Sequence, residues 1–258
     1  MSNLPLFDPS AQPTAEITRL YEHLELFSEG EPPQHSLFIL GRPTLAEHNP
    51  LQAPREQLLI IDPPEDITAR FRLDGDVAVL HTGEIPAIAL PQVQTQAGGV
   101  AHIRVGAHFL DIYSQQHGNI VYLPTLGILC GGGFGSDVLV PRVGSLSDGS
   151  EELETLRLLA QLVKGQNFQM YIPHIGELSQ DRVAVMQRLA TDVAYLHELR
   201  RVLSGLAERG ESEEVLETIA ATLLPQHRQS ALSADRHARN MKQIYDAYHA
   251  GSASGRAV

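Results

Sequence analysis

The chain has 258 residues, of which 43% are hydrophobic and 19% are charged, a composition typical of a globular protein with one large domain or two small ones. Its 19 basic and 31 acidic side chains give a formal net charge of −12, and no long run of Lys or Arg interrupts that balance. These properties argue against a nucleic-acid backbone or an anionic membrane as the main partner. The single cysteine, Cys130, excludes an internal disulfide bond.

The start of the sequence has no targeting signal that we recognise. Met1 to Ser10 lack the basic region and apolar run of a secretory signal. No stretch reaches the roughly 20 apolar residues that a membrane helix needs. We therefore expect a cytoplasmic protein that does not contact a membrane, with a loose leader over Ser2–Pro13.

The first half of the chain favours β-structure. Short runs rich in Val, Ile, Leu or aromatic residues alternate with Pro and Gly, as strands and turns do. The predicted strands are Ser36–Leu40, Gln57–Ile61, Val77–Leu80, Val100–Val105, Phe109–Tyr113, Asn119–Leu123 and Gly127–Cys130.

From Ser150 onward the apolar residues recur at helical spacing, with one more strand between helices. Strands that mostly precede helices are typical of an α+β fold. The predicted elements are a helix from Ser150 to Gly165, a strand over Phe168–Ile172, and helices from Ser179 to Gly205, from Ser212 to Pro225 and from Ser233 to about His249.

The local sequence motifs do not predict a catalytic or nucleotide-binding site. Gly127–Gly135 is rich in glycine but lacks the Gly-Lys-Ser/Thr ending of a phosphate loop, so it predicts a close approach of backbone to backbone. Cys130 ends an apolar run without a positive neighbour, which predicts a buried, inert thiol. There is no Gly-x-Ser-x-Gly motif to support a serine hydrolase.

Three histidines follow the ends of predicted strands, where functional loops cluster. They are His81, His117 and His174. None has a second histidine at i+2 or i+4, so a strong zinc signature is missing. On spacing alone, each is a hydrogen-bonded loop histidine.

Five segments have a familiar order along the chain. Leu58–Pro64 contains a strand that ends at Asp62, Asn119–Gly132 contains paired strands, Asp148–Leu156 begins a helix, Tyr171–Gly176 ends a late strand, and Arg236–Tyr245 lies in a C-terminal helix. Together they resemble the metallo-β-lactamase fold superfamily, from about Gln34 to His249.

The resemblance implies an α+β fold, a metallo-β-lactamase-like four-layer αββα sandwich with additional C-terminal helices. On this basis residues 1–33 form a leader and a first structured segment, and residues 34–205 form the sandwich. Residues 206–250 form C-terminal helices on the same domain, and residues 251–258 form a flexible tail. The family usually hydrolyses its substrates at one or two metal ions. Their ligands come from a His-x-His-x-Asp-His loop, a later histidine, a bridging aspartate and a final histidine.

This sequence departs from that ligand set. In the loop, His81-Thr-Gly-Glu-Ile-Pro86, only His81 matches a ligand. Elsewhere the bridging aspartate is replaced by a glycine, which has no side-chain donor. The degenerate positions are Gly83, Ile85 and Pro86 in the loop, Gln115 for the later histidine, Gly132 for the bridging aspartate and Ile175 for the final histidine.

These replacements lead to two main hypotheses. The first is a non-catalytic binding or scaffolding protein without a cofactor, whose small-molecule ligand or protein partner the sequence does not name. Self-association into a homo-oligomer is left open. The alternative is a metal-dependent hydrolase of an ester, thioester, lactam or phosphodiester. Its atypical zinc or iron site would use His81, His117 and His174, with Glu84 and Glu177 close by.

A third hypothesis is a redox partner, because some members of the family pair this fold with a flavin module and a di-iron site. No flavin module is recognisable in the sequence, and the carboxylate ligands are absent, so this hypothesis has the least support.

Overall fold

The computed structural model describes residues 15–41, 57–71, 73, 75–83, 88–165, 167–211 and 213–255. The first sheet, called sheet A here, contains β1 (Glu16–Tyr21), β2 (Leu24–Glu29), β3 (Gln34–Gly41), β4 (Gln57–Ile61) and β5 (Asp76–Leu80). The strands lie in sequence order, and all neighbours are antiparallel except β4 and β5. All of β4 except Gln57 is buried, as expected for a central strand covered on both faces.

The second sheet, sheet B, contains β6 (Val100–Val105), β7 (His108–Gln115), β8 (Gly118–Leu123), β9 (Ile128–Gly132) and β10 (Met170–Pro173). Its spatial order is β10-β9-β8-β7-β6, and all neighbours are antiparallel except β9 and β10. In β7 every second residue from Leu110 is buried, which reflects the alternation of side chains along a strand.

The helices are α1 (Ile67–Arg70), α2 (Ser150–Lys164), α3 (Arg182–Arg209), α4 (Glu213–Leu223) and α5 (Ala231–Gly255). A 3-10 turn over Gln226–Arg228 joins α4 to α5. No helix in the described part of the chain is long and apolar enough to cross a membrane.

Three apolar clusters hold the layers together. Ile39 and Leu59 of sheet A pack with Ile112 and Val121 of sheet B in the central cluster. Ile67 and Phe71 cover the outer face of sheet A. The largest cluster joins the outer face of sheet B to α2, α3 and α5, and it includes Leu129, Leu156, Leu196, Leu203 and Ile244. The layers therefore follow the order α1, sheet A, sheet B and the later helices, which confirms the expected αββα sandwich.

Each predicted strand is present; Gln57–Ile61 and Val100–Val105 match the observed strands at both ends, and the ends of the others shift by at most two residues. The β1–β2 hairpin is not among the predicted strands. It lies within the predicted segment 1–33, and β2 pairs with β3 in sheet A, so the sheet begins before residue 34. Residues 1–14 lie outside the described part, and the division into segments stays a prediction.

Two predicted helix ends are wrong. Gly205 does not end α3, which continues to Arg209, because Leu203 and Leu206 on either side are buried and offset the roughly 1 kcal/mol that a glycine costs inside a helix. Likewise α5 continues to Gly255, past residue 250. The start of α3 also differs, because Asp181 rather than Ser179 caps it by accepting a hydrogen bond from the Val183 N–H at 2.8 Å.

A buried ion pair fixes the later helices to the loop after β9. Asp192 on α3 accepts a hydrogen bond from Arg228 of the 3-10 turn and another from the Gly135 N–H at 2.7 Å. Both side chains are almost fully buried. Burial raises the pKa of Asp192 to about 6, and the charge of Arg228 opposes that rise. At pH 7.5 the pair is therefore ionised.

Removing one charge of this pair should destabilise the protein strongly. We expect Asp192→Asn to lower the free energy of unfolding by about 3–5 kcal/mol, because Arg228 would stay buried without a counter-charge. The measurement is urea denaturation at pH 7.5. Glu198→Gln is the control, because it breaks the exposed pair with Arg201 on the same helix and should leave the curve unchanged. Equal effects of the two substitutions would contradict this account.

Candidate functional site

The ends of β5, β9 and β10 meet at one edge of the sandwich, and the candidate site lies there. His81 follows β5, Gly132 ends β9 and His174 follows β10. The His174 N–H donates to the Gly132 carbonyl at 2.9 Å. The Asn119 side chain at the start of β8 donates to the His81 carbonyl at 2.7 Å. Hydrogen bonds therefore join the ends of β9 and β10 to each other, and the end of β5 to the start of β8.

Two of the three predicted metal-ligating histidines lie close together. Burial lowers the pKa of His81. The charge of Asp62 opposes this decrease and the charge of His174 adds to it, so His81 is within electrostatic reach of both residues. The Nε2 atoms of His81 and His174 are both buried and have no hydrogen-bond partner among the described residues. A buried polar atom without a partner is unusual, and a bound water or ion is one of the explanations for it.

His117 takes a different position from the other two. Its Nε2 lies 3.6 Å from a carboxylate oxygen of Glu151 at the start of α2. Its ring fills the space beside Gly144, where an added Cβ would lie 1.9 Å from the ring. With Thr82 and Gln115 it lines a cavity of about 40 Å³, which has room for a few water molecules at about 15 Å³ each.

Asp62 is bound to Thr82 rather than directed into the cleft. Its two carboxylate oxygens accept hydrogen bonds from the Thr82 N–H, at 2.7 Å, and from the Thr82 hydroxyl. Asp62 is buried and has a φ of 51°, a left-handed conformation that aspartate tolerates better than most residues. A carboxylate at the end of a strand often accepts hydrogen bonds from the following loop, and Asp62 has this structural role.

Gly132, at the expected position of the bridging aspartate, has no room for a side chain. Its φ is 59°, and a Cβ placed on it would lie 2.9 Å from the Thr82 carbonyl oxygen and 3.0 Å from the Thr82 side chain. Gly118 is equally close, because its Cβ would lie 2.3 Å from the same carbonyl oxygen. The backbone of Thr82 therefore occupies the space that a bridging carboxylate would need.

The other degenerate positions have varied surroundings. Gly83 lines the cleft, Gln115 lines the small cavity beside His117, and Ile175 forms a bridge with Gln34. Ile85 and Pro86, with Glu84, lie outside the described residues. Within the described ranges, no group of three or more His, Cys, Asp or Glu side chains could hold a metal ion. The described residues therefore do not fit the metal centre that the family resemblance implies, and the three-histidine site stays a prediction.

The glycine-rich stretch and Cys130 behave as predicted. A Cβ on Gly127, whose φ is 66°, would lie 1.7 Å from the Asn167 carbonyl oxygen, so backbone does approach backbone closely in this stretch. Cys130 is buried, and burial raises the pKa of its thiol far above the ordinary range. The thiol is therefore protonated and unreactive at neutral pH.

A larger cavity, which the sequence analysis did not identify, lies beside His174. It has a volume of about 240 Å³ and is lined by Gly83, Gly133, Arg142, His174, Arg236 and Arg239, among others. We call it the basic cavity. One signal in the sequence was the spacing of Arg236 and Arg239, because residues three apart share a helix face. Arg142 lies far from them in the chain and gives no local signal.

Polar side chains of α5 hold the loop that carries Arg142. Asn240 accepts a hydrogen bond from the Val143 N–H at 2.9 Å and donates to the Pro141 carbonyl at 2.7 Å. Gln243 accepts from the Leu146 N–H at 3.1 Å, and Ser233 accepts from the Val140 N–H at 3.3 Å. The last helix thus fixes one wall of the basic cavity.

Comparison with solved structures identifies the architecture. A β-lactamase domain protein from Burkholderia ambifaria is 13% identical and superimposes with a TM-score of 0.54, over 96% of this chain and 92% of that one. The chain has the metallo-β-lactamase fold. The sec-alkylsulfatase Pisa1 from Pseudomonas sp. is 11% identical and superimposes with a TM-score of 0.54. The match covers 91% of this chain and 50% of the alkylsulfatase. A metallo-β-lactamase from Pontibacter korlensis is 15% identical over 71% of this chain and 99% of its own, with a TM-score of 0.44.

A scan against protein-family models finds no match, and a search of curated proteins finds none either. The metallo-β-lactamase fold is thus established by structure, and the expectation drawn from the order of the five sequence segments is confirmed.

The tight packing at Gly132 can be tested by substitution. We expect Gly132→Ala to lower the free energy of unfolding by about 1–2 kcal/mol for the left-handed backbone and by about 1–3 kcal/mol more for overpacking against Thr82. Gly210→Ala is the matched control, because its φ of 67° is similar and nothing lies within 4 Å of the added Cβ. Chemical denaturation measures both variants. If they lose equal stability, Thr82 does not exclude a side chain at Gly132.

Proposed function

We propose that this chain is a non-catalytic binding protein of the metallo-β-lactamase fold, with a cleft that works without a metal ion. The close packing of Gly132 against Thr82 is the observation that carries the proposal. A bridging carboxylate cannot be accommodated at that position without moving the backbone after β5. Asp62, the buried carboxylate whose charge acts on His81, already accepts two hydrogen bonds from Thr82.

The chemistry of a catalytic metal supports the same proposal. A catalytic zinc needs about three protein ligands and an open position for the water that it activates. Among the described residues, His81 and His174 supply two unpaired nitrogens, and His117 is paired with Glu151 instead. Two imidazoles without a carboxylate would hold zinc weakly.

The same two histidines favour one alternative. Their unpaired, buried nitrogens are the kind of donor that binds a metal. His117 lines the small cavity with Thr82 and Gly83, the residues that follow His81. The alternative is therefore a mononuclear, metal-dependent hydrolase of an ester, thioester, lactam or phosphodiester. It needs His117 to leave Glu151 and serve as the third ligand.

The kind of partner follows from the size and charge of the cleft. A cavity of about 240 Å³ is smaller than the roughly 300–1,000 Å³ of pockets for drug-sized ligands, which favours a small molecule or one head group. The net charge of −12 disfavours nucleic acid. We propose that the protein binds this ligand in the cytoplasm without changing it chemically.

Metal content tests the proposal directly. The untagged protein, purified without chelator, should contain less than about a tenth of an equivalent of zinc, iron or manganese, because two imidazoles bind these ions weakly. Elemental mass spectrometry gives the metal content. The same sample should hydrolyse no ester, thioester, lactam or phosphodiester faster than the buffer does, with or without added zinc.

The hydrolase alternative makes the opposite predictions. It requires about one equivalent of metal and metal-dependent hydrolysis, and both should disappear together in His81→Ala and His174→Ala. His197→Ala is the control, because this histidine is exposed on α3 away from the cleft. Stoichiometric metal with activity that depends on His81 and His174 would overturn the non-catalytic proposal.

A further inference from the structure

Polar side chains on one face of α5 bind the main chain of the loop between β9 and α2. Four residues of the helix are spaced three, four and three positions apart, so they share a face. They are Ser233, Arg236, Asn240 and Gln243. Each forms a hydrogen bond with a backbone group within residues 140–146. We call the four side chains the polar stripe and residues 140–146 the strap.

The polar stripe binds both donors and acceptors of the strap. Three backbone N–H groups, those of Val140, Val143 and Leu146, donate to it over distances of 3.3, 2.9 and 3.1 Å. In the opposite direction, the Asn240 amide donates to the Pro141 carbonyl at 2.7 Å. The strap lies outside the strands and helices. Side chains of α5 therefore provide the hydrogen bonds that a neighbouring strand provides in a sheet.

Asn240 lies at the centre of this arrangement and also reaches α3. It is almost fully buried, and its amide donates to the Tyr195 hydroxyl at 3.2 Å. Its carbonyl oxygen accepts from the Val143 N–H, which fixes the orientation of the amide. One side chain thus joins α5, the strap and α3. A buried group that loses such a partner keeps the cost of its desolvation, so these bonds support one another.

The strap is held from the other side by α2. The buried carboxylate of Glu152 accepts hydrogen bonds from the Gly144 N–H at 2.8 Å and from the Ser147 hydroxyl at 2.6 Å. The strap therefore spans the space between the first and the last helix of the outer layer. A change in its contacts with α5 can reach α2 through a few residues.

The strap forms walls of both cavities at the candidate site. Arg142 lines the small cavity and the basic cavity, and Ser145 lines the basic cavity. Gly144 packs against the ring of His117 so closely that an added Cβ would lie 1.9 Å from it. A displacement of the strap would change the shape of both cavities at once.

The end of the strap at the surface is strained. Leu146 is 74% exposed and has a φ of 61°, a left-handed conformation that is unfavourable for leucine. The hydrogen bond from its N–H to Gln243 contributes to holding it there. Release of this end relieves the strain, so an opening of the strap is favoured to begin at Leu146.

We propose that the strap and the polar stripe of α5 form one cooperative unit, which opens and closes the walls of both cavities together. In the closed state the stripe binds the strap and both cavities have the shapes described above. In the open state the strap leaves α5 as a whole, rather than one contact at a time. Local openings of this kind involve contiguous segments. The inference goes beyond the proposed function, because all its contacts lie within the chain and it stands whichever ligand the cleft binds.

Amide hydrogen exchange, measured by NMR on the untagged full chain at pH 7.5, tests the inference. Asn240→Ala removes the direct partner of the Val143 N–H only. If the strap opens as one unit, the N–H groups of Val140, Gly144 and Leu146 should also exchange at least about tenfold faster, by a common factor. Amides of β9 should keep their protection, which shows that the fold is intact.

The matched control is Lys242→Gln on the same helix. Lys242 is exposed and pairs with Asp246 at 3.9 Å, away from the strap. Loss of an exposed pair of this kind has little effect. Exchange in the strap should therefore be unchanged in this variant, and an increase equal to that in Asn240→Ala would overturn the proposal.

A second variant keeps the test decisive if Asn240→Ala does not fold. Gln243→Ala removes one hydrogen bond at the surface end of the strap, where the side chain is only half-buried. A cooperative strap predicts that Val140 and Val143 also exchange about three to five times faster, because one bond of the shared unit is lost. Faster exchange confined to Leu146 in this variant would show that the contacts open independently, and it would overturn the proposal.

Discussion

The hydrogen bonds between Asp62 and Thr82 organise the cleft. They hold the residue after β5 by its N–H and its hydroxyl, so the Thr82 carbonyl points toward β8 and β9. The Asn119 N–H donates to that carbonyl at 3.3 Å, and Gly118 and Gly132 pack against it. One buried carboxylate thus fixes three strand ends. Since glycine alone fits beside Thr82, the same arrangement excludes a bridging metal ligand.

The loss of the metal ligands changes which chemical groups line the cleft. In the usual site of this fold, as the family resemblance describes it, metal ions supply positive charge to the substrate. In this chain Arg142, Arg236 and Arg239 line the basic cavity beside His174. A guanidinium is fixed in its charge and offers several donors, but it does not activate a water molecule as zinc does. This difference supports the proposal that the cleft binds a ligand without activating water.

Parts of this account could be predicted from the sequence, because they depend on local patterns. The strands β3 to β10 have continuous or alternating apolar residues, and a short run such as Gln57–Ile61 is enough to place a buried strand. The positions of His81 and His174 at neighbouring strand ends followed from the family resemblance. Helix ends were less certain, because the cap that begins α3 is Asp181 and its interior glycine is compensated by buried leucines.

The basic cavity could not be predicted in this way, because it depends on tertiary contacts. Arg142 reaches the cavity through a loop that Ser233, Asn240 and Gln243 of α5 hold in place. The pairing of His117 with Glu151 likewise joins two elements whose proximity the sequence does not show. The most direct test of the central claim is a crystal structure of the protein crystallised with zinc in a phosphate-free buffer, with anomalous data at the zinc edge. We predict no zinc peak near His81 and His174. A zinc ion about 2.0–2.1 Å from both Nε2 atoms would contradict the account.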